Sequence, residues 1–353
     1  MAATKGRDVL RVAATYIGTV VGAGFASGQE ILRFFAVFGR HGLWGVAMAT
    51  ALFIVLGVAV MDLGRRLGAD SHREVMLYTC GPWLGGLMDL MVTSFLLASL
   101  AVMLAGAGAV MAQQFGLPTG AGVALTALAT VFTVLLGLRG IVAANGLVVP
   151  MLTAFVLAVT LGALWRQGTA VPFDPQRLDL AAAPHWALSA VLYVAYNLVL
   201  AVAVLAPLGK AVGDARVLWR GGVLGGAGLG LLALLIKLAV GRNLSDLAGS
   251  EVPLLSIAQA YAPSFQALYA LVLWSEIYTT AIGSLYGFAS RLTLWRRWDY
   301  PLLVLGSAAV AAWGSQAGFS HLVATLYPLY GYASLAFVVA LMWKVLQRSL
   351  LRA

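Results

Sequence analysis

The chain is 353 residues long, 61% hydrophobic and only 10% charged, with a mean hydropathy of +0.93; a soluble domain carries about 25% charged residues, so this composition belongs in a lipid bilayer. Its single cysteine, Cys80, excludes an intramolecular disulfide and any cysteine-based metal site. The net charge of +9 is spread over short loops between apolar runs, which is how membrane topology uses basic residues, and this excludes nucleic acid as a partner.

With about twenty apolar residues per crossing, the sequence predicts ten spans, near 9–37, 42–62, 84–112, 120–138, 141–165, 186–207, 219–240, 264–290, 300–316 and 322–346. Lys5, Arg7 and Arg11 precede a first run of about thirty residues, too long for the 7–15-residue core of a cleaved signal peptide, so this span is retained. It contains Gly18-Thr19-Val20-Val21-Gly22-Ala23-Gly24-Phe25-Ala26-Ser27-Gly28-Gln29-Glu30. Each glycine costs a helix about 1 kcal/mol relative to alanine, and non-helical backbone survives at membrane depth only inside protein or beside a wet cavity. The phrase predicts a broken membrane helix whose Gly22, Gly24, Ser27 and Glu30 contribute to a substrate site. Arg33, one turn further on, pairs with Glu30 or with an acid on another span, holds a substrate carboxylate, or snorkels to the outer interface.

Asp62 and Asp89, near the cytoplasmic ends of the second and third spans, read as solvated or paired with loop arginines. Two longer outer connections, 167–185 and 241–263, carry Pro172, Pro175, Pro184, Pro253 and Pro263 and cap the external mouth; the second includes a short helix over Pro253–Tyr261. The first connection divides one membrane domain, 1–353, into five-span halves, 9–166 and 185–347. Five is odd, so the halves enter the membrane in opposite senses, as in an inverted repeat whose sites lie at the midplane on discontinuous helices. The expected fold is all-α with ten transmembrane helices, a break in the first and a possible one in the sixth.

In the sixth span, Tyr193, Tyr196 and Asn197 line a substrate pocket or serve as interhelical hydrogen-bonding groups. Gly221, Gly222, Gly225, Gly226, Gly228 and Gly230 make the seventh a close-packing surface. The eighth carries a second deep carboxylate, Glu276, with Thr279, Thr280 and Ser284 beside it. An ionisable group at this depth costs from about 3 kcal/mol upward unless it is paired or hydrated, which makes Glu276 a further candidate for the substrate site. The hydroxyls suit a small cation when joined by free carbonyls, although serine and threonine also bond back to their own helix. Tyr327-Pro328-Leu329-Tyr330-Gly331-Tyr332 predicts a kink in the tenth span.

Orientation follows from the basic residues. With both termini in the cytoplasm, sixteen of the 22 lysines and arginines lie inside, leaving Arg33, Arg40, Arg166, Arg177, Lys237 and Arg242 in spans or outside. A bacterial cytoplasmic (inner) membrane is the expected location. Enzyme chemistry is absent from the pattern. The four histidines lie at span ends or in loops, no HExxH occurs, Ser27 stands where a dinucleotide fingerprint has its third glycine, and no Walker lysine follows a glycine loop. Ser27 likewise has no deep base beside it.

The phrase from Gly18 to Glu30 resembles the YkvI-type family of bacterial membrane proteins, which is distantly similar to LeuT-fold transporters of the amino acid–polyamine–organocation group. The resemblance runs over 9–347. It implies a sodium site from the carbonyls of Gly18 and Val21 and the hydroxyls of Thr279 and Thr280, and an extracellular gate at Arg33. The chain departs from the wider pattern in the extra residues between Gly24 and Leu32, Glu30 among them, and in lacking a glycine pair in the sixth span.

The resulting expectation is a sodium-coupled symporter of a small polar solute, an amino acid or amine, in which Glu30 neutralises a substrate ammonium or the coupling ion. The absence of lysine from 141–165 favours sodium, and the two deep carboxyls favour protons. A membrane receptor for a small ligand and a channel are the alternatives from other classes.

Overall fold

Backbone groups that water cannot reach must close their hydrogen bonds within the chain, and the long apolar runs do so as helices. The computed structural model describes residues 2–136, 141–167, 176–296 and 299–350, in which all regular structure is helical. Pro172, Pro175, Arg139, Arg297 and Arg352 lie outside the described residues. The helices are α1 (Ala2–Val20), α2 (Ala23–Ser27), α3 (Gln29–Phe34), α4 (His41–Leu67), α5 (His72–Phe115), α6 (Thr119–Leu136), α7 (Ile141–Gln167), α8 (Trp186–Val212), α9 (Ala215–Gly241), α10 (Leu244–Leu247), α11 (Pro253–Ala258), α12 (Pro263–Arg296), α13 (Tyr300–Gly314) and α14 (Phe319–Leu350).

Eight of these, α4 to α9, α12 and α14, are long and apolar enough to cross a membrane. The other two expected spans map onto the interrupted α1–α3 and onto α13, whose 15 residues reach about 22 Å at 1.5 Å per residue. Two expectations need correcting. The sixth span is not discontinuous: α8 runs unbroken from Trp186 to Val212, with no glycine before Gly209 and its one proline, Pro207, close to the end. The third begins well before residue 84, because a Ser71–Glu74 capping box starts α5 at His72, and Gly81 (φ 77°, ψ 174°) before Pro82 then re-aims the chain.

The helices sort into two packed groups. One contains α1, α4, α8 and α9; the other contains α5, α6, α12 and α13; α14 bridges them through α8 and α5, and α7 through α9 and α12. The glycines of α9 make the first group close. A Cβ at Gly221 would fall 2.5 Å from Val12, at Gly225 2.9 Å from Tyr16, and at Gly230 2.1 Å from the Thr50 hydroxyl. This stripe therefore lets α1 and α4 seat against α9 by backbone contact.

Candidate functional site

The first span comes apart where its glycines predict. The α-helical ladder ends with the Val21 N–H donating to the Ile17 carbonyl at 2.8 Å and resumes with the Ala26 N–H donating to the Gly22 carbonyl at 2.9 Å. The carbonyls of Gly18 to Val21 fall in the gap between the two ladders. Gly22 itself is extended (φ −115°, ψ −172°), and a Cβ there would meet nothing within 4 Å. The two sides of the break have different neighbours: α1 packs on α9 and α8, whereas α2 packs on α12. Tyr269 of α12 donates its hydroxyl to the Ala26 carbonyl, satisfying an acceptor that the short helix leaves over. Gly28, in the left-handed region at φ 84°, then turns the chain into α3.

Glu30 opens α3 and folds back over α2. Its carboxyl occupies the space a side chain at Gly24 would take, since a Cβ there would lie 2.1 Å from Glu30 Oε1. Tyr193 and Tyr196 of α8 stand beside the carboxyl, and Tyr327 of α14 lies within range of its charge. The hydroxyls of Tyr193 and Tyr196 are directed at the carboxyl, but neither they nor the Oε2 of Glu30 closes a hydrogen bond of standard length and angle, and all three atoms are buried. Phe34 and Phe95 complete an aromatic enclosure. Phe34 lies 5.4 Å from Tyr193 and 5.7 Å from Tyr196 between ring centres, Tyr196 lies 4.9 Å from Tyr327, and Phe95 lies 6.0 Å from Tyr327. Glu30 is 5% exposed, so the site is closed to solvent in this conformation.

Other residues singled out from the sequence have local engagements. The Ser27 hydroxyl donates to the Gly24 carbonyl at 2.8 Å and accepts from the Gln29 amide at 3.2 Å, stitching α2 to α3. The Asn197 side chain donates to the Tyr193 carbonyl at 3.0 Å on its own helix. Arg33 points away from Glu30. Its guanidinium donates to the Leu180 carbonyl at 3.1 Å and to the Ser320 hydroxyl at 2.6 Å, joining α3 to the second half of the chain. Glu251 accepts from the Ser320 amide at 2.6 Å, so Ser320 is the meeting point of α3, α14 and the α10–α11 connection. The preceding loop lies along α3: the Ala182 amide donates to the Arg33 carbonyl at 3.0 Å, and the Arg177 amide to the Val37 carbonyl at 3.0 Å. On this exposed loop the Arg177 guanidinium donates to both carboxylate oxygens of Asp179 at 3.0 Å and holds that carboxyl below the ordinary aspartate range.

Glu276 does not join Glu30. It lies on α12, 5% exposed, where the Thr280 hydroxyl donates to its Oε1 at 3.4 Å, and Oε2 is buried without a partner. The Thr279 hydroxyl donates to the Glu276 carbonyl at 3.1 Å, and the Ser284 hydroxyl reaches Ser99 of α5 at 3.2 Å. Glu276, Thr279 and Thr280 therefore form a hydroxyl–carboxyl cluster apart from the aromatic enclosure. Asp62 and Asp89 are paired, Asp62 with Arg65 and Arg66 at 2.7 Å each and Asp89 with Arg291 at 3.2 Å.

Tyr269 and Phe95 carry no signal in the sequence, where they are ordinary aromatics of apolar spans; Phe34 stands out only as the neighbour of Arg33, and Tyr327 only as part of a kink signal. A cavity of about 1250 Å³ lies at the Arg33 end, lined by Gln113, Asp246, Glu251, Ser256 and Trp313 among others.

No protein-family model matches the chain. It is 33% identical over 337 residues to the membrane protein YkvI of Bacillus subtilis, covering 95% of each chain, and 30% identical over 334 residues to the protein YyaD of the same organism, covering 92% of this chain and 94% of that one. Among solved structures it resembles MhsT in complex with L-phenylalanine, with a TM-score of 0.65 and 17% identity over 94% of this chain and 87% of that one. That likeness gives the fold, the LeuT fold.

Proposed function

The chain belongs to the YkvI family of bacterial membrane proteins, and from that premise we propose that it is a secondary active transporter, a sodium-coupled symporter of a small polar solute bearing an ammonium group, working by alternating access. Glu30 carries this reading: an acid seated on the glycine of a broken membrane helix, with two partnerless tyrosine hydroxyls beside it. An unpaired carboxylate at this depth costs from about 3 kcal/mol upward, and a cationic guest removes that cost.

The two helix groups support the alternating-access part. Numbered as ten spans, one group holds the first, second, sixth and seventh and the other the third, fourth, eighth and ninth, so that each span packs in the same group as the span five places on. This is the arrangement expected of a five-plus-five inverted repeat, and one group rocking against the other would open the Glu30 site to either side. The break gives α1 freedom to move separately from α2. With both termini in the cytoplasm, as the basic residues favour, Arg33, Leu180 and Ser320 form the outer gate.

The carbonyls of Gly18 and Val21 lie in the ladder gap, and these oxygens with the hydroxyls of Thr279 and Thr280 are the proposed sodium ligands. Proton coupling is the second reading. One observation favours it: the Thr280 hydroxyl already donates to a carboxyl, Glu276, inside the hydroxyl set. Amino acids enter as candidate substrates because MhsT was solved with L-phenylalanine.

Uptake into proteoliposomes tests the class. A symporter concentrates solute when a sodium gradient is imposed, a channel only equilibrates it, and a receptor does neither. A proton gradient that drives accumulation without sodium would transfer the coupling role to Glu276.

A further inference from the structure

We propose, resting on the reading above and narrowing it, that the guest of the Glu30 site is a small organic monocation, a protonated amine on an apolar or aromatic body, and that it needs no carboxylate of its own. Three observations lead there. The polar groups of the enclosure are one carboxyl and tyrosine hydroxyls that face one another, and the Tyr193 and Tyr196 hydroxyls and Glu30 Oε2 are buried without a hydrogen bond of standard length and angle. An ammonium supplies donors to all of them at once.

The neighbourhood is aromatic. Tyr196 stands beside the carboxyl; Phe34, Phe95 and Tyr327 pack on Tyr196 with ring centres 4.9–6.2 Å away, and aromatic rings attract cations. A zwitterionic guest would bring a carboxylate for which the enclosure holds no basic side chain, leaving only the amides of the break between the two ladders and the tyrosine hydroxyls to receive it. Arg33, the nearest base in sequence, is directed to Leu180 and Ser320, and α2, at five residues, is too short to gather a useful dipole.

The 1250 Å³ cavity at the Arg33 end is lined, among the described residues, by Asp246 and Glu251 and by no lysine, arginine or histidine; with Arg33 in charge range of Glu251, its lining carries one net negative charge, which favours cations.

The experiment compares three probes built on one phenylethyl frame, phenethylamine, phenylalanine and 3-phenylpropionate, by calorimetric titration of the purified full chain and by uptake into proteoliposomes. Phenethylamine is expected to bind about tenfold or more tightly than phenylalanine, with 3-phenylpropionate giving no heat. Glu30→Gln removes the phenethylamine heat, and Tyr196→Phe weakens binding about tenfold or more while leaving the melting temperature unchanged. Phenylalanine binding as tightly as the amine, an amine signal that survives Glu30→Gln, or no amine signal at all would overturn the proposal. Phenethylamine that binds but is never accumulated contradicts the transport reading alone. Phenylalanine that is accumulated while phenethylamine is ignored contradicts the monocation alone.

Discussion

Glu30 rests on Gly24 so closely that the two residues share one space: a methyl group built on Gly24 would fall 2.1 Å from Glu30 Oε1 and 2.9 Å from the carboxyl carbon. The carboxyl owes its position to a hydrogen atom where other residues carry a side chain. Gly24→Ala is therefore expected to insert and fold normally, because the end of a flexible side chain can swing aside, but to displace the carboxyl by an ångström or more. Misplacement of about 1 Å can cost a factor of about 100 in a positioned site. Initial uptake rates beside a detergent melting curve check this, and wild-type uptake in Gly24→Ala would separate the glycine from the site.

Tyr196→Phe and Tyr193→Phe remove hydroxyls that have no partner in the closed state. Removing a buried, unsatisfied donor leaves stability unchanged or raises it, whereas losing a hydrogen bond to a charged guest costs about 1.5–3 kcal/mol. Each variant should keep its melting temperature and raise KM by about tenfold or more. A lower melting temperature with unchanged KM would make these tyrosines core residues.

Arg33 holds two acceptors with one planar fork, the Leu180 carbonyl and the Ser320 hydroxyl. A lysine cannot reproduce that geometry, so Arg33→Lys should resemble Arg33→Ala. Both are expected to increase labelling of a cysteine introduced at Ser189, which is buried behind the Phe34 carbonyl. Equal labelling in wild type and Arg33→Ala would remove Arg33 from the gate.

Thr280→Val takes a hydroxyl from the proposed cation ligands and from Glu276, and Thr280→Ser restores it. The valine variant should raise the sodium concentration for half-maximal uptake several-fold, and the serine variant should stay near wild type. Unchanged sodium dependence in both would remove Thr280 from the coupling site.

Tyr269→Phe tests the seam between α2 and α12. It leaves the Ala26 carbonyl without its donor, at a cost of about 1–3 kcal/mol. The expected result is a lower melting temperature with α1 packing intact, read from protection of α1 amides in hydrogen exchange.

The break at Gly22 and the acid beside it were legible because glycines and a carboxylate conflict with the solvent a membrane span must face. The packing role of the α9 glycines was legible from their spacing alone, which allows close backbone approach. Phe95, Tyr269 and Tyr327 were not, since their partners lie about 100 to nearly 300 positions away and no periodicity records which ring meets which. Ser27, Asn197 and Thr279 were marked by their polarity, but their spacing did not show that each hydroxyl or amide also donates to its own backbone. The unbroken α8 follows the chain's own residues, which lack glycine over most of its length, rather than the pattern of the wider fold.

The most direct measurement is uptake of an amine into proteoliposomes under an imposed sodium gradient, with wild type and Glu30→Gln reconstituted to equal, folded density. Accumulation above the external concentration by wild type and none by Glu30→Gln is the predicted result. Equal accumulation by both would contradict the assignment of Glu30 as the group that receives the cation.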